Sequence, residues 1–122
     1  NFYNTFPMMN GSFTPPDGLK YEPNFFGYEN VGNIQFTHRL VAWIILLLSF
    51  IVYRKSSNII HDRSVLFFCC SVALQFFLGV LTVIYFNLWD RVALGMVHQL
   101  GATILFISTV SMAYFKSTKK NI

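Results

Sequence analysis

The chain has 122 residues, of which 54% are hydrophobic, 18% aromatic and only 11% charged. Charged residues make up about a quarter of an ordinary soluble domain, so a water-soluble globule is excluded, and the length admits one domain. The net charge of +4 is scattered singly and in short groups along the chain, which excludes a nucleic-acid-binding patch.

Residues 1–33 stand apart in composition. They hold all four prolines (Pro7, Pro15, Pro16, Pro23) together with Gly11, Gly18, Gly27 and Gly32. Proline and glycine at this density preclude a long helix. The same stretch carries Phe2, Tyr3, Phe6, Phe13, Tyr21, Phe25, Phe26 and Tyr28, side chains that favour the headgroup region of a membrane. An extracytoplasmic loop lying on the membrane over 1–33 accounts for both features. The chain opens at Asn1 without the basic start and apolar core of a signal peptide. A start directly in polar loop sequence is expected of a piece of a longer protein.

Residues 34–122 form the second unit. Three apolar segments, 34–53, 64–86 and 92–115, are each about 20 residues or longer, enough to cross roughly 30 Å of hydrocarbon at 1.5 Å per residue. The fold class is therefore all-α, with polytopic transmembrane helices. Gly32-Asn33 is a candidate cap for the first helix, and Asp90 for the third. The short links 54–63 and 87–91, the latter with Trp89 at interfacial depth, imply antiparallel neighbours in an up-down arrangement. Arg54, Lys55 and Arg63 flank the inner link, and Lys116, Lys119 and Lys120 follow the third segment, against Lys20, Arg39 and Arg91 toward the other side. This positive-inside bias assigns residues 54–63 and the C-terminus to the cytoplasm or matrix. His61, beside Asp62 and Arg63, reads as a solvated residue of the inner link. Cys69 and Cys70 are adjacent, so they point about 100° apart on a helix and make a poor metal pair. They read as small hydrophobes.

Two ionisable rings stand inside the apolar segments, where a functional role is the first reading. His38 lies roughly 6 Å into the first segment and His98 roughly 9 Å into the third. Both segments start on the outer side, so the two rings share a depth. Gly95, Gly101 and Ala102 surround His98 at helical spacing, Ala42 follows His38 by one turn, and Gly79 opens space on the second segment. Small residues beside two histidines at one depth suit a flat metal macrocycle gripped from both faces. Arg39, at the outer edge, is placed to pair with a propionate if that macrocycle is a heme. Gln35 and Gln99 are candidate partners for the free ring nitrogens. Two other readings stay open, since small residues near a histidine also mark close helix packing and an arginine near an interface also snorkels. A zinc site lacks further ligands at that depth.

The order Asn4-Thr5-Phe6-Pro7-Met8-Met9-Asn10-Gly11, Glu29-Asn30, Ile34-Gln35-Phe36-Thr37-His38-Arg39 resembles the C-terminal half of the heme A synthase family. The resemblance continues in order through Leu74-Gln75, Leu78-Gly79-Val80-Leu81-Thr82, Ala93-Leu94 and His98-Gln99-Leu100-Gly101-Ala102. It implies two related four-helix bundles in one membrane protein. This chain would supply the last three helices of the second bundle and the outer loop before them. The family's second bundle holds a b-type heme through two histidines, which correspond to His38 and His98. The implied cofactor is heme b, with iron in bis-histidine ligation. The full enzyme of that family is an oxidoreductase that converts a methyl group of heme O to the formyl of heme A for cytochrome oxidase. Its substrate heme, catalytic acidic residue and paired loop cysteines belong to the first bundle. No catalytic residue is thus expected in this chain, which alone is expected to be inactive.

The implied partners are heme O, heme A and membrane lipid. Heme O synthase, cytochrome oxidase assembly proteins and a second copy of the chain are admitted, and the electron donor is open. The implied location is a bacterial inner membrane or the mitochondrial inner membrane. The competing reading is a non-enzymatic cytochrome b-type anchor or electron-transfer subunit, which has no evident need of the Pro- and aromatic-rich outer segment. A third is a cofactor-free subunit whose histidines hydrogen-bond or relay protons.

Overall fold

The computed structural model describes residues 3–19, 31–55, 63–85 and 91–120. Three helices run in order: α1 (Val31–Lys55), α2 (Arg63–Ile84) and α3 (Arg91–Lys120). All three are long and apolar enough to cross a membrane, with lengths of about 37, 33 and 45 Å at 1.5 Å per residue. The chain is therefore a multi-pass membrane protein segment. α1 starts at Val31, three residues before the boundary expected from composition. Gly32 and Asn33 accordingly lie within its first turn and do not cap it. Asp90, Trp89, His61 and most of both links lie outside the described residues.

The helices carry apolar side chains on every face. Leu47, Phe50, Phe77, Leu100 and Phe106 are all more than half exposed, which suits lipid tails and not water. What the helices bury against one another is small. Ser49, Ser71, Ser108, Gly32 and Gly101 are buried, with Val65 and Val72 as the larger members. Without a hydrophobic force between helices in lipid, close approach of backbones supplies the packing, and small residues permit it. Each buried serine satisfies its own hydroxyl within its helix: Ser49 Oγ donates to the Leu46 carbonyl, Ser71 to Phe67 and Ser108 to Leu105, all at 2.8 Å. That removes the cost of a polar group in an apolar interior.

α2 lies between the other two, packed against both. Among the described residues, α1 and α3 make no close backbone approach. A cleft thus separates the two helices that carry the histidines.

The loop 3–19 is folded onto α1. Met9 and Ser12 exchange backbone hydrogen bonds of 2.7 and 3.1 Å across Asn10-Gly11. Both central residues have positive φ, 50° and 87°, the conformation for which Asn-Gly is the preferred pair in a two-residue hairpin. Thr5 Oγ1 donates to the Met8 carbonyl at 2.7 Å and accepts from the Asn10 amide at 2.8 Å. Gln35 accepts from the Tyr3 amide at 2.9 Å and donates to its carbonyl at 3.2 Å. Phe6 then stacks on Trp43 and meets the edge of Phe76, each at 5.9 Å between ring centres. Trp43 and Phe76 close the trio at 5.0 Å. The loop occupies the face of α1 formed by Gln35, Arg39 and Trp43, which are spaced four apart.

Candidate functional site

His38 and His98 come together across the cleft between α1 and α3. Their ring centres are 6.2 Å apart and their planes are inclined at 74°. Both residues lie seven positions beyond the first residue of their helix, about 10 Å along each axis. The equal depth expected from the sequence is therefore present in the fold. His38 is about 100° round the helix from Arg39, so docking of the loop on Arg39 leaves His38 free to face α3.

α2 shapes the surroundings of His98. Gln75 and Gly79, one turn apart on α2, both meet its ring. The Gln75 Nε2 lies 3.3 Å from each ring nitrogen, and the Gln75 Oε1 is buried without a hydrogen-bond partner. A Cβ at Gly79 would come within 3.2 Å of His98 Cε1, so the absent side chain is what makes room for the imidazole. A Cβ at Gly101 would overlap the Gln75 amide oxygen and lie 2.8 Å from Leu78 Cδ1. Gly101 thus provides the notch into which the Gln75 amide fits. Gly95, by contrast, faces open space, with nothing within 4 Å of a Cβ built there.

Arg39 is buried, at 9% exposure, and its terminal nitrogens hold the loop. One donates to the Tyr3 carbonyl at 2.8 Å, the other to the carbonyls of Met8 at 3.2 Å and Pro7 at 3.4 Å. Its Nε is buried without a partner. Neither sequence reading of Arg39, pairing with a propionate or snorkelling to the interface, includes this hold on the loop. Tyr3 completes the clamp: its hydroxyl donates to Asp17 at 2.8 Å, and that bond, with burial, raises the phenol above its ordinary pKa.

Gln35 and Gln99 are not the ring partners expected of them. Gln35 faces the loop, while Gln99 is exposed and its backbone carbonyl accepts from Thr103 at 3.2 Å. The amide at the histidine is Gln75. Its signal in the sequence was the one side-chain amide in an apolar helix, one turn from a glycine. Cys69 is half-buried and Cys70 exposed, both as free thiols. Among the described residues, no three His, Cys, Asp or Glu side chains gather, so the donor set that a closed zinc site requires is not assembled there.

A family model described as cytochrome oxidase assembly protein matches residues 1–110. Heme A synthase of Bartonella henselae is 33% identical over 122 residues, covering 96% of this chain and 33% of that protein. Heme A synthase of Nitrosospira multiformis is 36% identical over 115 residues, covering 88% of this chain and 31% of that protein. Heme A synthase of Wolbachia pipientis wMel is 36% identical over 109 residues, with 88% and 29% covered. The chain thus spans about a third of the length of the relatives it matches. No solved structure matches it.

Proposed function

Since the chain belongs to the cytochrome oxidase assembly protein family, we infer that it is the heme b-holding part of a heme A synthase, with His38 and His98 as the two axial ligands. The observation that carries this reading is the meeting of the two imidazoles across a cleft whose flanking helices make no close backbone approach among the described residues. Two metal–imidazole bonds of about 2 Å each, plus about 1 Å from each nitrogen to its ring centre, give a centre-to-centre distance of roughly 6 Å. The observed 6.2 Å fits one iron. The open space at Gly95 and the orphaned Nε of Arg39 are further points of fit, the first for a flat macrocycle and the second for a propionate at its polar edge.

A heme held by imidazole on both faces supplies one-electron transfer and has no open position for oxygen chemistry. The chain's own residues have narrower tasks. His38 from α1 and His98 from α3 would hold the group. Gly79 and Gly101 let α2 approach closely enough to hold His98. Arg39 and Gln35 seat the loop, and Phe6 packs it against Trp43 of α1 and Phe76 of α2. Oxidation of the heme O methyl group to the formyl of heme A would belong to the whole protein, with heme O as substrate and heme A as product. Arg54 and Lys55 in the last turn of α1 support an inner, cytoplasmic or matrix side for that end and for the C-terminus. Family membership weighs for a synthase over a non-enzymatic cytochrome b anchor.

The test is a reduced-minus-oxidised spectrum of the purified membrane protein beside His38→Ala and His98→Ala. A low-spin b-type signal lost in either variant is expected. A colourless, well-folded protein from heme-replete cells would overturn the reading.

A further inference from the structure

We propose that Gln75 is the positioning residue for His98, its amide oxygen accepting the N–H of the ring nitrogen that does not bind iron. This rests on the axial-pair reading above and deepens it. An imidazole that gives one nitrogen to a metal keeps a proton on the other, and ligating histidines almost always donate that proton to a fixed acceptor. Gln75 has the one side-chain amide within hydrogen-bond distance of the ring among the described residues, with Nε2 at 3.3 Å from both ring nitrogens.

The two ends of that amide are now unequally served. Nε2 faces the ring while Oε1 is buried with no partner. Oxygen and nitrogen of a glutamine are assigned from the bonds they make. A half-turn of the terminal amide, a soft two-fold torsion, exchanges them. Oε1 then lies on the ring side, where a small rotation of the imidazole sets a ring N–H on it, and the amide nitrogen takes the place beside Gly101. The pocket is built for this pairing from both helices. Gly79 admits the ring against α2, and Gly101 admits the amide against α3. A neutral amide is also a weaker acceptor than a carboxylate, so it orients the ring without drawing the imidazole toward imidazolate. A carboxylate there would stabilise ferric iron; the amide favours a higher reduction potential.

Gln75→Glu, Gln75→Leu and, as a control, the exposed Gln99→Leu are prepared in the heme b-loaded protein. Each is followed by redox potentiometry and by the electron paramagnetic resonance of the ferric low-spin iron. Circular dichroism reports folding. Gln75→Glu is expected to stay low-spin and to shift the reduction equilibrium about tenfold toward ferric, about 59 mV for one electron. Gln75→Leu is expected to bind heme about tenfold more weakly, with a broadened low-spin signal from a ring free to rotate. Gln99→Leu should match the parent. Folded, heme-loaded Gln75 variants with unchanged potential and g-values would overturn the assignment of Gln75 and leave the axial pair standing. A parent protein that binds no heme b would overturn both.

Discussion

Replacing Gly79 by alanine separates the proposed heme site from the fold that carries it. The added Cβ would sit 3.2 Å from His98 Cε1, whereas carbon atoms pack best at about 3.5–4.0 Å. The ring must retreat by about 0.3–0.8 Å, comparable to the roughly 0.5 Å within which a functional group must be held. Overpacking of this kind costs about 1–3 kcal/mol, while alanine in place of glycine returns about 0.8–1.0 kcal/mol of helix propensity. The heme-free protein should therefore melt within a few degrees of the parent. If His98 ligates heme iron as proposed, the heme-loaded protein would bear the strain, because the ring would be held from retreating. At 1.4 kcal/mol per tenfold, Gly79→Ala should weaken heme b binding by about tenfold. Gly79→Val, whose branched methyls leave no room for the ring, should abolish the low-spin spectrum. Titration of the purified heme-free protein with heme b measures the affinity, and Gly95→Ala, which fills open space, controls for helix propensity. Unchanged affinity and spectrum in folded Gly79→Val would refute the packing argument.

Other substitutions probe the same structure from different sides. Gly101→Ala should push the Gln75 side chain off His98 at modest cost to folding, since the atoms it meets are ends of flexible side chains; its redox behaviour should follow Gln75→Leu and not the parent. Arg39→Lys removes a fork that reaches three loop carbonyls and leaves one compact ammonium. Loss of about 3 kcal/mol of charge-assisted bonding corresponds to about 100-fold faster amide exchange at Met9 and Ser12. Gly11→Ala, at φ 87°, should weaken the hairpin by about 1 kcal/mol or more, read by the same exchange. Because the Tyr3 phenol is raised by its bond to Asp17, the docked loop keeps that stabilisation below the unfolded phenol pKa of about 10. The stabilisation is lost as pH rises through the higher folded value. Loop protection should therefore stay level across neutral pH and fall only in strong alkali, and Tyr3→Phe should remove the step.

Helix class and histidine depth were legible because both depend on one dimension. Runs of apolar residues set the spans, and counting from their ends puts His38 and His98 level. Partner choice was less legible because it depends on rotation about the helix axes. Gln35 and Gln99 stand close to the histidines in the chain, yet neighbours in sequence point away from one another on a helix. Gln75 is far in sequence and near in space, brought there by two glycines whose purpose appears only when α2 and α3 meet. Arg39 shows the same limit. Its place at the outer edge was readable, but the loop that occupies it folds back through Asn10-Gly11, a hairpin signal hidden in a stretch read from its prolines and aromatics. The start of α1 moved for a simpler reason: Gly32 and Asn33 lie in its first turn, and composition does not distinguish a first turn from a loop.

The claim that His38 and His98 bind one iron from opposite faces is tested most directly by near-infrared magnetic circular dichroism of the ferric, heme b-loaded protein. The account predicts a bis-imidazole charge-transfer band in the parent. That band should vanish in His38→Ala and in His98→Ala and return in each when free imidazole is added to fill the vacated position. A bis-imidazole band that persists in either alanine variant without added imidazole would contradict it.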